Sequence, residues 1–477
     1  MSFDRDEMFS WIEHQAKMGP RRPGSPAGHE NEDFLLSKLG EFGLESVRKE
    51  PIEITCWEAQ EATLEINNRK VESFPIPYSA FAEIEAPLVA ADRKKLFQTG
   101  DFKDKVVVAE IGFPPFPLAL LNRISPGRYD PDDTIKDVDH PATFVFLGWH
   151  LYQLAARRGA AGFIGIVRDQ PGGSCRMYAP YGAKEKKIFH RPIPGFWVGK
   201  NDGDELLRLA RSGRGRARLK LTGRRGPGVT HNIVGEIPGK SDEAVVLSCH
   251  HDSPFASPVE DASGVAVVLA LARHFKKSRD LNRRLVVLLT AGHFYGSIGT
   301  RTFIKEHQAD LVPQTAVEIT IEHIAKEAVE DPQGNLAPTG RPEATGVFVP
   351  FSKKATKAVL EAMRANDVRR TFLLPAEGPL GDYPPTDGGD WYQAGVPVIN
   401  FISNPVYLLT DDDALKWVDR DRLPQVAAAF ADIIRELDYI PKKEIASIDS
   451  LSYKLLMKML KHAVYAKTTS FGLKPLF

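Results

Sequence analysis

Apolar runs recur through the second half of the chain, and their lengths alternate. HNIVGEIPG, AVVLSCHHD, RLVVLLTAG, EITIEHI and VPVINFI are short, β-branched and closed by Gly, Pro or polar residues. Each predicts a buried strand. Between the second and third lies SGVAVVLALARHFKK, with apolar positions at helical spacing, and a further helix is predicted near residues 354–366. Apolar strands alternating with amphipathic helices predict a doubly wound α/β fold. Its sheet should be largely parallel but mixed, with helices on both faces.

The first half has a different texture. Residues 3–18 predict a helix, MGPRRPGSPAGHE reads as a Pro/Gly turn cluster, and a second helix is expected over residues 31–42 before Gly43. From Trp57 to Gly223, short β-like runs such as VVVAEIGF and GFIGIV alternate with Pro/Gly loops. The change predicts a β-rich domain at 57–223 inserted into an α/β domain made of 1–56 and 224–440. Residues 441–477 form a helical tail, in which Leu451, Leu455, Met459 and Ala463 make a stripe able to dock on its own domain or on a second subunit.

Length and charge narrow the picture. The 477 residues allow two or three domains, and 62 basic residues balance 62 acidic ones. Such a balance argues against a nucleic-acid or membrane-surface protein, and the basic stretch 211–225 alternates with Leu, Ala and Gly like a solvated strand and turn. Cys56, Cys175 and Cys249 are scattered, the N-terminus lacks a signal-peptide core, and the longest apolar run, 265–272, is too short to span a bilayer. The expectation is a cytoplasmic protein.

Candidate chemistry gathers in VVLSCHHDSPFASPVEDASG. His250 and Asp252 lie two apart at a strand end and share a face, while His251 faces the other way. Glu260 and Asp261 follow, before the helix. One histidine with converging carboxylates is the composition of a metal site, although hydrogen-bonded histidine pairs look the same in sequence. A second histidine, His293, ends the VVLLT strand, and residues 281–305 contain no Asp or Glu at all.

These segments resemble the zinc-dependent aminopeptidase family that includes bacterial leucyl aminopeptidases, glutamate carboxypeptidase and the glutaminyl cyclases. The likeness rests on Gly19-Pro20-Arg21 with Gly24-Ser25, on His250-His251-Asp252-Ser253, on Glu260-Asp261-Ala262-Ser263-Gly264, and on Thr386-Asp387-Gly388-Gly389-Asp390-Trp391 through Pro397. Residues 57–223 are similar to the family's inserted protease-associated domain. The resemblance implies a metal at His250, Glu260 and Glu322, with Asp252 orienting His250. The family's second metal and general base do not carry over. The base falls on His293, one ligand falls on Phe294, and the late histidine falls on Gly388, with no histidine between His323 and His462. His251 and His323, on the opposite strand face from their ligand neighbours, are expected to pack or support.

The pattern of retained and lost positions implies one divalent ion, zinc ahead of manganese or iron, and a hydrolase that cleaves an amide or related C–N bond of a peptide-like or small-molecule substrate. His293, with a pKa near neutrality, stands where proton transfer is needed, either as base or as a fourth ligand. Asp387, Asp390, Trp391 and Tyr383 are the candidate substrate-binding residues. Two other readings remain: a non-catalytic binding relative, and a two-zinc aminopeptidase.

Overall fold

The computed structural model describes residues 3–91, 102–179, 191–278, 280–449 and 451–470, with side chains as far as residue 462. At its centre is a mixed sheet. Strand Ser241–His250 lies between Arg283–Thr290 and Thr315–Ile321 and is parallel to both. Val398–Ser403 continues the parallel run, Thr345–Val349 joins it antiparallel, and Thr371–Pro375 pairs beyond.

Side-chain alternation explains why this sheet is covered twice. Val245 and Leu247 pack with helices Gly264–Ser278 and Arg422–Tyr439 on one face, while Ala244 and Val246 pack with Phe303 and Trp391 on the other. The parallel arrangement brings the ends of three strands, at His250, Thr290 and Ile321, to one edge. In such sheets that edge is where ligand-binding groups collect.

Two long strands, Glu45–Ile66 and Arg216–Ile237, form an antiparallel ribbon registered from Glu45–Glu236 to Ile66–Ala217. It runs without a break through Trp57 and Gly223, the limits expected from texture. The ribbon carries the chain between its two strands outward. There Ala82–Ala90 pairs with Arg216–Ile237, and Val106–Ile111 and Gly162–Val167 extend the sheet in parallel. The basic stretch spreads along this ribbon and meets acids across it: Arg216 with Glu85, Arg218 with Glu83, Lys220 with Glu61 and Arg224 with Glu58.

The first helix spans Arg5–Lys17, as its pattern predicts. The second differs, starting at Pro26 rather than near residue 31. Ser25 accepts a hydrogen bond from the Gly28 amide, and proline at the first helical position needs no donor, so the end of the Pro/Gly cluster is a helix start. In the tail, helix Leu451–Ser470 buries Met457 with Phe348 and Leu374, while Leu451, Leu455 and Met459 face outward. The stripe therefore does not dock on its own domain, and the side chain of Ala463 lies outside the described residues. Among the described residues no helix is long and apolar enough to cross a membrane, and none of the three cysteines is in a disulfide.

Candidate active site

Strand Ser241–His250 delivers His250 to the sheet edge, fully buried. Its Nδ1 lies 3.1 Å from the carbonyl oxygen of Asp252, which fixes the ring and leaves Nε2 directed at Glu260 Oε1, 3.3 Å away. Asp252 thus orients His250 through its backbone. Its carboxylate instead accepts the amides of His293 (3.0 Å) and Phe294 (3.4 Å), pinning the next strand's turn.

The loop after His250 is braced from far away. Arg21, almost fully buried, donates to the carbonyls of Gln15, Ala256 and Ser257. Asp413 accepts the amides of Val259 (3.1 Å) and Glu260 (2.9 Å). Asp261 caps helix Gly264–Ser278 by accepting the Gly264 amide (3.0 Å), and the same oxygen accepts the His323 amide (3.1 Å).

His323 is the main departure from expectation. Strand alternation places it away from Glu322, but the strand ends at Ile321 and the alternation ends with it. His323 has φ +57°, a left-handed turn that brings its ring round. Its Nδ1 lies 2.8 Å from the Ser403 carbonyl, and its Nε2 reaches Glu260 Oε2 at 2.5 Å and Glu322 Oε2 at 3.8 Å. Both buried histidines are therefore held at Nδ1 by a carbonyl, with Nε2 turned inward. That is the arrangement by which proteins fix metal-binding imidazoles.

Four buried atoms in this cluster, His250 Nε2, Glu260 Oε2, Glu322 Oε1 and His323 Nε2, lack a well-directed hydrogen bond, and all but Glu322 Oε1 are held by ion pairs between His250 or His323 and Glu260. Such atoms cost free energy unless a ligand completes them. Donor atoms of His250, Asp261, Glu322 and His323 lie within 4.8 Å of one another, as do those of His250, Glu260 and His293. Glu260 and Glu322 fall in different groups of this pair, joined by His250. The electrostatics agree with a cation site. Burial lowers the pKa of both histidines, but the Glu260 carboxylate outweighs it and raises them, His323 to about 10. Burial also pushes Glu322 up to about 7 and Asp261 up to about 6. The donor set fits a divalent ion, which would exchange with these protons.

His293 closes the other side, in a turn entered through Gly292 at φ +73°, where a Cβ would also strike Ile298. Its ring stacks on His250 with centroids 4.2 Å apart, and its Nδ1 lies 2.7 Å from Asp387 Oδ1. Thr290 donates to the other Asp387 oxygen at 3.0 Å. Burial and neighbouring His250 depress the His293 pKa, and Asp387 more than offsets them, so it is raised overall. Phe294 is buried edge-on to His250. At Gly388 any Cβ would lie 2.3 Å from the Asn400 amide, which is itself bonded to Glu318 and Thr386. No side chain of any kind fits there without displacing Asn400.

The cluster opens into a small, mainly apolar cavity walled by Phe116, Phe144, Phe348, Phe372 and Leu374. Phe116 and Phe144 come from the chain between the two ribbon strands. Of the four candidate substrate-binding residues, only Asp387 reaches the cluster. Trp391 is buried beneath the opposite face of the sheet against Phe303, Asp390 borders a separate surface cleft, and Tyr383 lines a small adjoining recess. Helix Gly388–Gln393 turns these side chains away as it leaves Asp387.

The sequence pattern assigns His323 only a packing or supporting role and does not single out Asp413 at all. The adjacent pair Glu322-His323 at a strand end was a usable signal for the first. Asp413 had none, because it acts on backbone amides more than 150 positions away.

Residues 232–434 match the family model described as peptidase family M28. Over those residues the chain is similar to that peptidase family. A probable leucine aminopeptidase 2 of Aspergillus oryzae is 23% identical over 309 residues, which is 63% of this chain and 54% of that protein. The chain thus matches about half the length of this curated relative. Two solved structures share the fold across nearly the whole chain. A zinc aminopeptidase from Bacillus subtilis has TM-score 0.65 and 17% identity, covering 93% of this chain and 98% of its own. The aminopeptidase from Aneurinibacillus sp. strain AM-1 has TM-score 0.62 and 19% identity, covering 91% and 93%. The matched residues begin inside the long ribbon, so the ribbon and both N-terminal helices lie largely outside them.

Proposed function

We propose that the chain is a metal-dependent hydrolase that cleaves an amide or related C–N bond at a single-metal site. The observation that carries this reading is the set of buried atoms on His250, Glu260, Glu322 and His323 that lack a well-directed hydrogen bond, gathered at the foot of an apolar cavity. His250, Glu260 and Glu322 would hold the ion, with His323 as a further donor. Zinc, named in the description of a structural neighbour, is favoured over manganese or iron. When bound, such an ion polarises a carbonyl and makes a nearby water more acidic.

The chain's own residues supply the rest. Asp387 holds Nδ1 of His293, so proton transfer falls to Nε2. Asp252 keeps His250 and the His293 turn in register. The aromatic walls exclude water and accept an apolar group of a peptide-like or small-molecule substrate. Phe294 and Gly388 stand where the resemblance implies two ligands of a second ion, which favours one ion over two in the cavity. The three free cysteines fit a reducing compartment such as the cytoplasm.

The test is turnover by the full chain, stripped of metal and reloaded with zinc, on aminoacyl anilides and N-acyl amides with apolar groups. Zinc-dependent cleavage that disappears in Glu322→Ala supports the reading. Absence of both cleavage and bound metal in the wild type would turn it toward a binding protein.

A further inference from the structure

A second histidine–carboxylate cluster lies outside the cavity, at the seam between helix Pro26–Glu41 and strand Arg216–Ile237. His29 and Glu32 are three apart on the helix and so share a face. His231 comes from the strand. Nδ1 of His29 lies 2.9 Å, and Nδ1 of His231 2.7 Å, from the same oxygen, Glu32 Oε2. The other oxygen is already fixed by the Thr230 hydroxyl (2.7 Å) and the His231 amide (3.0 Å).

The Glu32 side chain is fully buried, whereas His29 is 40% and His231 22% exposed. The cluster is therefore anchored at its base and open to solvent above. Burial alone would raise the Glu32 pKa, but His251, His29, Thr230 and His231 together hold it at about 2, so the carboxylate stays charged. One other cation approaches: Lys49 Nζ lies 3.7 Å from Glu32 Oε2 but pairs more closely with Asp33, at 2.6 Å.

We propose that His29, Glu32 and His231 form a binding site for a zinc-class divalent ion, distinct from the cavity site. Two imidazole nitrogens and one carboxylate oxygen within 4.8 Å of one another are a three-ligand set, with an open position for water. Tetrahedral ligands at about 2.1 Å from zinc stand about 3.4 Å apart, so the rings need to part by only about half an ångström. The carboxylate's hydrogen bonds to Thr230 and the His231 amide supply the outer support such sites use. A bound ion would clamp the N-terminal helix to the strand. His231 also carries the carbonyl 2.9 Å from Nε2 of His251, the residue next to His250.

Zinc titration of the full-length metal-free chain tests this, with calorimetric stoichiometry compared among wild type, His29→Ala and His231→Ala. The expected result is one fewer zinc bound in either variant. His29→Ala serves as the control for folding, since its half-exposed ring contributes little to packing and its metal-free melting should match wild type. Glu322→Ala should lose a different zinc, and Glu322→Ala combined with His29→Ala should lose both. Equal zinc stoichiometry in wild type, His29→Ala and His231→Ala overturns the proposal whether or not the cavity binds metal.

Discussion

On one side of the cavity, His250, Glu260, Glu322 and His323 face one another with ion pairs but with four buried atoms that lack a well-directed hydrogen bond. On the other side, Asp387 is bonded to His293 and Thr290, and Asp252 to two backbone amides. Both sides are buried and both mix histidine with carboxylate. The difference lies in whether the polar atoms satisfy each other. A self-satisfied network is scaffold or proton relay. A converging set of imperfectly satisfied donors carries a desolvation cost that a bound cation would offset, which is the basis of the proposed metal site.

The largest effect should come from the imperfectly satisfied side. Glu322→Ala removes a donor with no near substitute, so it should lose the cavity's ion and reduce turnover to background, as read by elemental analysis and amide hydrolysis. A variant that keeps its metal would erase the contrast between the two sides. Next in size is His293→Ala. It should keep the ion and lose on the order of 10²–10⁴-fold in turnover, the usual contribution of a positioned base. Metal loss in that variant would move His293 across to the ligand side.

Stability should show the opposite ranking. Asp387→Ala strands the Thr290 hydroxyl and His293 Nδ1, a loss of about 1–3 kcal/mol in denaturant unfolding of the metal-free chain. Glu322→Gln leaves every hydrogen bond of the paired side in place and should cost less than about 1 kcal/mol under the same conditions. Equal losses would mean that the two sides are not different in kind.

The smallest effect is the pH dependence of the paired side. Burial tends to raise the Asp387 pKa, but the charge and hydrogen bond of His293 outweigh it and lower it from 3.8 to about 2. A depressed carboxylate pKa stabilises the fold above the unfolded value and less as pH falls through the folded one. The stability difference between wild type and Asp387→Asn should therefore shrink as pH falls between about 4 and 2, and shrink again as pH rises through the folded value of His293, which Asp387 holds above 6.5. A difference that grew on acidification below about pH 4 would contradict the assigned pairing.

Much of this contrast was visible in sequence, and the reasons it was not all visible are physical. The strands and the helix behind them were legible because burial on both faces writes long apolar runs. The depleted half was legible as well, since an acid-free stretch from 281 to 305 cannot supply a carboxylate. His323 was misplaced because the two-residue alternation was carried one step past the strand's end. Trp391 and Asp390 were assigned to the cavity by proximity to Asp387, but a short helix separates their directions. Asn400, whose amide fills the space above Gly388, left no trace in its local pattern, because its partners come from other strands and loops.

The central claim is that the cavity holds one ion, on the imperfectly satisfied side only. A crystal structure of zinc-loaded protein, with anomalous diffraction recorded at the zinc edge, addresses it directly. The account predicts a single anomalous peak in the cavity, within bonding distance of His250 Nε2 and of the Glu260 and Glu322 carboxylates, and none beside Phe294 and Gly388. Two peaks in the cavity, or none, would contradict it.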